Sequence, residues 1–389
     1  MEEVVIVGAG IAGLATAVAL KRVGVQALVL EKAPGLRSTG AAINLMPNAW
    51  LALDALCVSH KLTPLYHPIT KDAKPLTGTH ARCVHRKALL EALAEELPKD
   101  AIRCSSKLIS VEHGSVDPPC YVLLLEDGST IMAKAVIGCD GVHSMIARKL
   151  GLRPPIWSGR SSARGLSAFP EGHGLSHGNL QFVDLGRRGG LVSINDNEIY
   201  WFLTCRDPNQ SKGIDWARSP ASIKEEVIAE LAKGFPEVYL DVVRRCDPST
   251  LTWTPLMLRL PWDILFGNIS DGNMTVAGDA LHPMTPDLGQ GGGLALEDAV
   301  VLGRHIGLSV DNQGKISARD LGRSLRGYAR ERRWRAAAVV GASYFSGWVQ
   351  VAGSRWWHKL LQLIFYGIFL QQILRVMQYD CGKLPRKAN

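Results

Sequence analysis

Four apolar residues, Val4-Val5-Ile6-Val7, run straight into Gly8-Ala9-Gly10-Ile11-Ala12-Gly13, and no other stretch limits the possible folds as much. An apolar run of this kind suits a strand buried on both faces. Gly8 permits the tight turn that follows, Gly10 lets the backbone approach a pyrophosphate, and Gly13 lets the emerging helix pack closely on the strand. The helix continues through Leu14, Ala17, Val18 and Leu20 to Gly24, and Ala27-Leu28-Val29-Leu30 then forms a second strand closed by Glu31. The helix N-terminus offers unpaired amides and a positive dipole end to phosphates. A carboxylate at the distance of Glu31 accepts hydrogen bonds from a ribose. Strand, turn, helix, strand and acid in register predict a dinucleotide-binding unit. The motif alone leaves NAD and FAD both open.

Two later stretches have the same texture. Ala135 to Gly151 contains Val136-Ile137-Gly138-Cys139-Asp140-Gly141-Val142-His143-Ser144 and then Arg148. Met274 to Gly307 contains Val276-Ala277-Gly278-Asp279-Ala280-Leu281-His282-Pro283, then Pro286 and Gly289-Gln290-Gly291-Gly292-Gly293. Gly278-Asp279 ends a strand with a carboxylate able to bind the hydroxyls of a polyol, a charged hydrogen bond worth about 1.5–3 kcal/mol. The glycines after Pro286 expose backbone amides where the next helix starts. Taken singly, Asp140-Gly141 also reads as a turn and Asp279 as a helix cap.

The three stretches lie far apart, so the cofactor unit is assembled discontinuously, from 1–72, 99–162 and 272–312. Between them, Leu180–Val183, Gly190–Ile194 and Ile199–Leu203 are short β-prone runs, and Ser222–Ala232 reads as a helix. Residues 73–98 and 163–271 are therefore expected to form a strand-rich substrate domain, and 313–389 a helical C-terminal region. The fold class is α/β. At 389 residues the chain is too long for one compact core. Its formal net charge of +8 suits an anionic cofactor, and neither zinc-finger spacing nor an aromatic-interleaved basic region points to nucleic acid. Eight scattered cysteines without a C-x-x-C pair suggest reduced thiols and no metal site, hence a cytoplasmic setting.

The three motifs together resemble those of the class A flavoprotein monooxygenases, the aromatic-hydroxylase family, over most of the chain. The resemblance implies a p-hydroxybenzoate-hydroxylase-like fold: a Rossmann-like FAD domain, a mixed substrate domain and C-terminal helices. It also implies that Gly8, Gly10, Ala12 and Gly13 face the FAD pyrophosphate, that Glu31 holds the adenosine ribose, and that Asp279 holds the ribityl chain. Asp140 and Gly141 would serve both FAD and a visiting nicotinamide cofactor. Arg37 and Arg86 resemble family arginines near FAD, and Pro286, Gly289, Gln290 and Gly291 the loop beside the ring. The C-terminal part, from Tyr328-Ala329-Arg330-Glu331-Arg332 to Tyr379-Asp380-Cys381-Gly382-Lys383-Leu384-Pro385, is similar to the plant branch, related to salicylate and 3-hydroxybenzoate hydroxylases. Only one dinucleotide fingerprint is present, in keeping with NAD(P)H as a transient co-substrate. The implied reaction is hydride transfer from NAD(P)H, oxygen addition at flavin C4a, and delivery of the outer hydroperoxide oxygen to an electron-rich carbon. Epoxidation of an alkene or terpenoid, a flavin oxidase or dehydrogenase, and a flavin-binding regulator without turnover are the competing readings.

If the substrate is a phenol, a base makes its ring more reactive. His282 and Tyr200 are the candidates, with structural alternatives as a loop hydrogen-bond partner and as core beside Trp201 and Phe202. Arg164, Arg187 and Arg188 are candidates to hold a carboxylate or to lie on a solvated surface. Arg323, Arg326, Arg330 and Arg333 recur at helical spacing, as a solvated face or as an attractor of a phosphate or anionic lipid. Trp356-Trp357 and the apolar stretch to Met377 either pack on the second domain or give peripheral membrane contact through 356–377. The uninterrupted apolar run Leu363–Leu370 is too short to span a bilayer.

Overall fold

The computed structural model describes residues 1–36, 42–69, 79–114, 120–176, 178–184, 186–206, 219–311, 316–351 and 376–385. The chain opens with β1 (Glu2–Val7), α1 (Ile11–Arg22) and β2 (Ala27–Leu30), followed by β3 (Ala42–Leu45), α2 (Pro47–Ala55) and α3 (Ser59–Leu62). Next come β4 (Arg82–His85), α4 (Arg86–Ala94), β5 (Ile102–Arg103), β6 (Leu108–His113), β7 (Tyr121–Leu125), β8 (Thr130–Gly138) and α5 (Met145–Lys149). The middle of the chain forms β9 (Ile156–Ala168), β10 (Asn179–Asp184), β11 (Arg187–Asn195), β12 (Glu198–Arg206), α6 (Pro220–Glu226), α7 (Glu237–Arg244) and β13 (Thr252–Leu258). The last elements are α8 (Pro261–Phe266), β14 (Ser270–Asp271), β15 (Met274–Val276), α9 (Gly291–Gly307) and α10 (Ala318–Val351).

One eight-stranded sheet has the order β14-β15-β8-β1-β2-β5, with the β6–β7 hairpin attached to β8. Within it β15, β8, β1, β2 and β5 run parallel. Val4, Val5 and Ile6 are fully buried, as a strand covered on both faces requires. Their cover is α1, buried from Ile11 to Leu20, which packs on α9. In the register, Val7 and Val276 both lie beside Gly138. The three glycine-bearing turns therefore leave the sheet side by side, at the carboxyl ends of adjacent parallel strands, where open α/β sheets bind ligands.

The second sheet, β10-β11-β12-β9-β13, is antiparallel throughout. Its alternation is regular. Ile199, Trp201 and Leu203 point into a separate core with Tyr239 and Phe235, while Tyr200, Phe202 and Thr204 face the other way. The expected runs at 180–183, 190–194 and 199–203 fall in β10, β11 and β12. Two features depart from the outline drawn on the sequence. β9 runs across residues 162 and 163 as one strand, and the stretch 73–98 is divided: β4 lies near β11, but α4 packs on α1 of the nucleotide unit.

Candidate active site

A cavity of about 600 Å³ lies between the ends of the parallel strands and the outward face of the antiparallel sheet. Gly10, Ala12, Arg86, Gly141 and Asp279 line one part of it, and Tyr200, Phe202, Thr204, Ser162 and Arg164 another. Pro286, Gly289 and Gly291 form the loop between.

The three glycines of the first turn have different physical reasons. Gly8 sits at φ 105°, and a Cβ there would lie 2.4 Å from the Cys139 carbonyl oxygen; at Gly13 a Cβ would lie 1.9 Å from the Gly8 carbonyl oxygen. Those two are required by the chain's own packing. Gly10 has nothing within 4 Å of where a Cβ would point, although it lines the cavity and forms the N-cap of α1. Neither α1 nor α9 has a side-chain cap at its N-terminus. Open space at Gly10 beside an uncapped helix start is a cradle for a phosphate.

Asp279 is exposed, but onto the cavity, and the atoms crowded around it raise its carboxyl pKa by desolvation; His282, Arg86 and Arg164 oppose that rise. The turn that carries it is fixed from below. Buried Arg259 donates to the Ala280 and Leu281 carbonyls at 2.6 Å each, and burial lowers its pKa to about 10. Asp140 accepts from the Met145 amide at 2.7 Å and leaves Oδ1 buried without a partner. Burial raises its pKa, against the hydrogen bonds from Ser144 and Met145. Glu31 accepts from the Ala9 and Ala33 amides, both at 2.9 Å, so it braces the glycine turn from outside the cavity.

Tyr200 lines the cavity, and burial raises its phenol pKa against the pull of Arg164. Arg164 makes no ion pair among the described residues; its Nε lies 3.4 Å from the Ser162 hydroxyl. Arg188 also lines the cavity but is engaged by Gln181 and by the Asp287 carbonyl. Arg187, by contrast, turns to Asp184 and the Leu231 carbonyl. Arg160 holds the Asp287 carboxylate through two bonds of 2.9 and 2.7 Å, tying β9 to the loop that contains Pro286.

Several sequence candidates lie elsewhere. His282 is fully buried, its Nε2 2.6 Å from Asp298, and it is absent from the cavity wall. The reading of His282 as a base gives way to its alternative, a structural partner in the loop. Gln290 is buried too, accepting from Asn48 at 2.9 Å. Arg37 lies outside the described residues, as do Trp356-Trp357 and the tail through 375; Val376 and Met377 at its end face inward, onto Arg335 and Leu288. No helix among the described residues is long and apolar enough to cross a membrane.

One network was not legible in the sequence. Asp298 accepts from the Gly278 amide at 2.8 Å and from Arg332 at 2.7 Å besides meeting His282. Arg332 also lies 2.8 Å from Glu297, which Arg335 and Asn48 reach as well. Burial pushes the Asp298 carboxyl up, but His282 and Arg332 outweigh it and hold the pKa at about 2. α10 thus anchors the turn that presents Asp279.

A cleft at three parallel strand ends, closed by an antiparallel sheet, defines a nucleotide-dependent enzyme with a separate substrate wall. A family model described as an FAD binding domain matches residues 1–343, and the chain belongs to that family, as an FAD-dependent monooxygenase. It is 37% identical over 407 residues to Monooxygenase 2 of Arabidopsis thaliana, covering 98% of each chain. It is 36% identical over 411 residues to Monooxygenase 1 of the same plant, covering 99% of this chain and all of that one. Among solved structures, HpxO of Klebsiella pneumoniae in complex with FAD and uric acid superposes with a TM-score of 0.77 at 23% identity, covering 98% of this chain and 96% of that one. The open space at Gly10, the uncapped helix starts and the carboxylate of Asp279 on the cavity fit FAD.

Proposed function

We propose that this enzyme hydroxylates an electron-rich aromatic ring or a related small molecule, taking electrons from NAD(P)H and one oxygen atom from O2. The observation that carries the reading is the continuity of the cavity, from Gly10 and Asp279 to the polar and aromatic face of β9, β12 and β13. In this reading Gly10, Ala12 and the α1 amides meet the FAD pyrophosphate, Asp279 its ribityl hydroxyls, and Pro286 to Gly291 the ring edge. Arg86, Asp140 and Gly141 flank the cofactor. Bound FAD supplies hydride acceptance and oxygen activation; the chain supplies position and dryness.

Phe202, Leu256, Met257, Pro283 and Met284 give the substrate part apolar walls that exclude water. Tyr200, its pKa raised by burial, stays a neutral phenol at ordinary pH and orients a substrate hydroxyl by hydrogen bonding. Arg164 offers its charge to an anionic form of the substrate, such as a phenolate or ring carboxylate. The uric acid bound in the structural neighbour supports a small, ring-bearing substrate of this kind.

The test is a screen of ring compounds for accelerated NAD(P)H oxidation, followed by mass measurement of product formed under heavy-isotope oxygen. A hydroxylated product carrying one labelled atom is expected. An epoxide, or an oxidised product without label, would replace the reading with epoxidation or with an oxidase.

A further inference from the structure

Six aromatic side chains are exposed among the described residues: Trp262, Phe266, Trp334, Tyr344, Phe345 and Trp348. All six belong to α8 or α10. Trp334 leaves 69% of its surface open and Phe266 84%, values that no core role explains.

Their placement on α10 is ordered. A helix turns about 100° per residue, so Arg319, Arg323, Arg326, Arg330, Trp334, Tyr344, Phe345 and Trp348 fall within an arc of roughly 100°. The four arginines and the four aromatics are all exposed. This single face of a 34-residue helix is basic along its first half and aromatic along its second. The opposite face carries Arg332 and Tyr328, both buried in the FAD unit. α8 packs on the middle of this face, between its basic and aromatic ends: Pro261 is 3.4 Å from where a Gly341 Cβ would stand, and Arg333 donates to the Leu265 carbonyl. Trp262 and Phe266, one turn apart on α8, widen the aromatic half. Arg153, at the same side through Asp263, adds another exposed cation.

We propose that this α8–α10 face docks laterally on a bilayer surface bearing anionic lipid. Indole and phenyl rings with one apolar and one polar aspect settle at headgroup depth. Arginines beside them meet lipid phosphates and carboxylates, each strengthening the contact. Arg319, Arg326 and Arg330 have no ion pair among the described residues, and Asp320 offsets only Arg323. The whole chain carries +8, so its field also favours a negative surface. Because no described helix is long and apolar enough to cross a membrane, the contact is in the plane of the interface. Docking there would bring the enzyme to the phase in which apolar ring compounds dissolve.

The experiment uses the full chain loaded with FAD and vesicles of phosphatidylcholine, with or without phosphatidylserine. Sedimentation is expected with the anionic vesicles and to weaken at high salt. Brominated lipid should quench tryptophan emission in the unaltered protein. Arg326→Gln with Arg330→Gln should weaken binding roughly 30-fold, and Trp262→Ser, Trp334→Ser and Trp348→Ser together should abolish the quenching by removing the indoles of that face. Flavin content and melting temperature check that each variant is folded. Equal partitioning to neutral and anionic vesicles, absence of quenching, or variants that bind as the parent does would each overturn the proposal. So would light scattering that reveals a dimer dissociated by the aromatic substitutions, which would assign the face to a second copy.

Discussion

Gly10 and Gly13 stand one helical turn apart and make opposite predictions. Valine at Gly10 meets open space in the protein alone, so the chain should fold normally yet lose flavin, because the side chain occupies the ligand's position. Alanine at Gly13 must displace the Gly8 carbonyl and should lower the melting temperature even without flavin. Asp279→Ala should weaken FAD binding by about tenfold to a hundredfold, the worth of a charged hydrogen bond. Flavin absorbance per chain after desalting, together with thermal melts, separates the three; near-normal occupancy in Asp279→Ala would remove that residue from the cofactor. Gly8 and Gly13 were legible because the packing of strand, turn and helix forces them, and Gly10 because a ligand's approach requires it. Arg164 and Arg188 were less so, since only the strand pairing decides which of the four arginines on β9 and β11 face the cavity, and Arg187 faces away.

The elements repeat that division. β1, α1 and β2 follow from a contiguous pattern of apolar residues and turns, and β10 to β12 from period-two alternation. Of the basic stripe on α10, Arg323, Arg326 and Arg330 are exposed while Arg333 turns to the Leu265 carbonyl; the buried Arg332 and the half-buried Arg335 lie on the other side, and their partners come from α9, some thirty-odd residues earlier. Nothing local announces such a pair. Its consequence is testable by pH. Asp298 is held at about 2, below the ordinary carboxylate range, so it contributes stability at neutral pH that disappears as pH falls from about 4 through about 2. Asp298→Asn should therefore be less stable at pH 7 and should show a flatter acid denaturation curve in that window. Arg332→Met leaves Glu297 and Asp298 short of charge in the interior and should cost about 3–5 kcal/mol in denaturant melts; an effect below 1 kcal/mol would mean that water or movement relieves the site.

Across the whole molecule, the turns that meet at the cleft leave the sheet after residues 7, 138 and 276, so a ligand touching all three bridges segments that the unfolded chain holds far apart. FAD binding to the native state alone must then stabilise the entire fold by mass action, about 2.7 kcal/mol when free FAD is a hundredfold above its dissociation constant. The second sheet shares in this. Arg160 clamps Asp287 with both partners buried, so the loop beside the cofactor and the strand of the substrate wall are held as one. Removing FAD should accordingly lower the melting temperature by a few degrees, with one transition observed by flavin release and by far-ultraviolet circular dichroism alike. Arg160→Gln combined with Arg188→Gln should uncouple the two probes, because the antiparallel sheet keeps its own core around Trp201 and Tyr239 while both of its arginine ties to Asp287 are lost. Coincident transitions in that variant would show that the sheets are joined through other contacts, and the substrate wall would then have to be treated as part of the nucleotide unit.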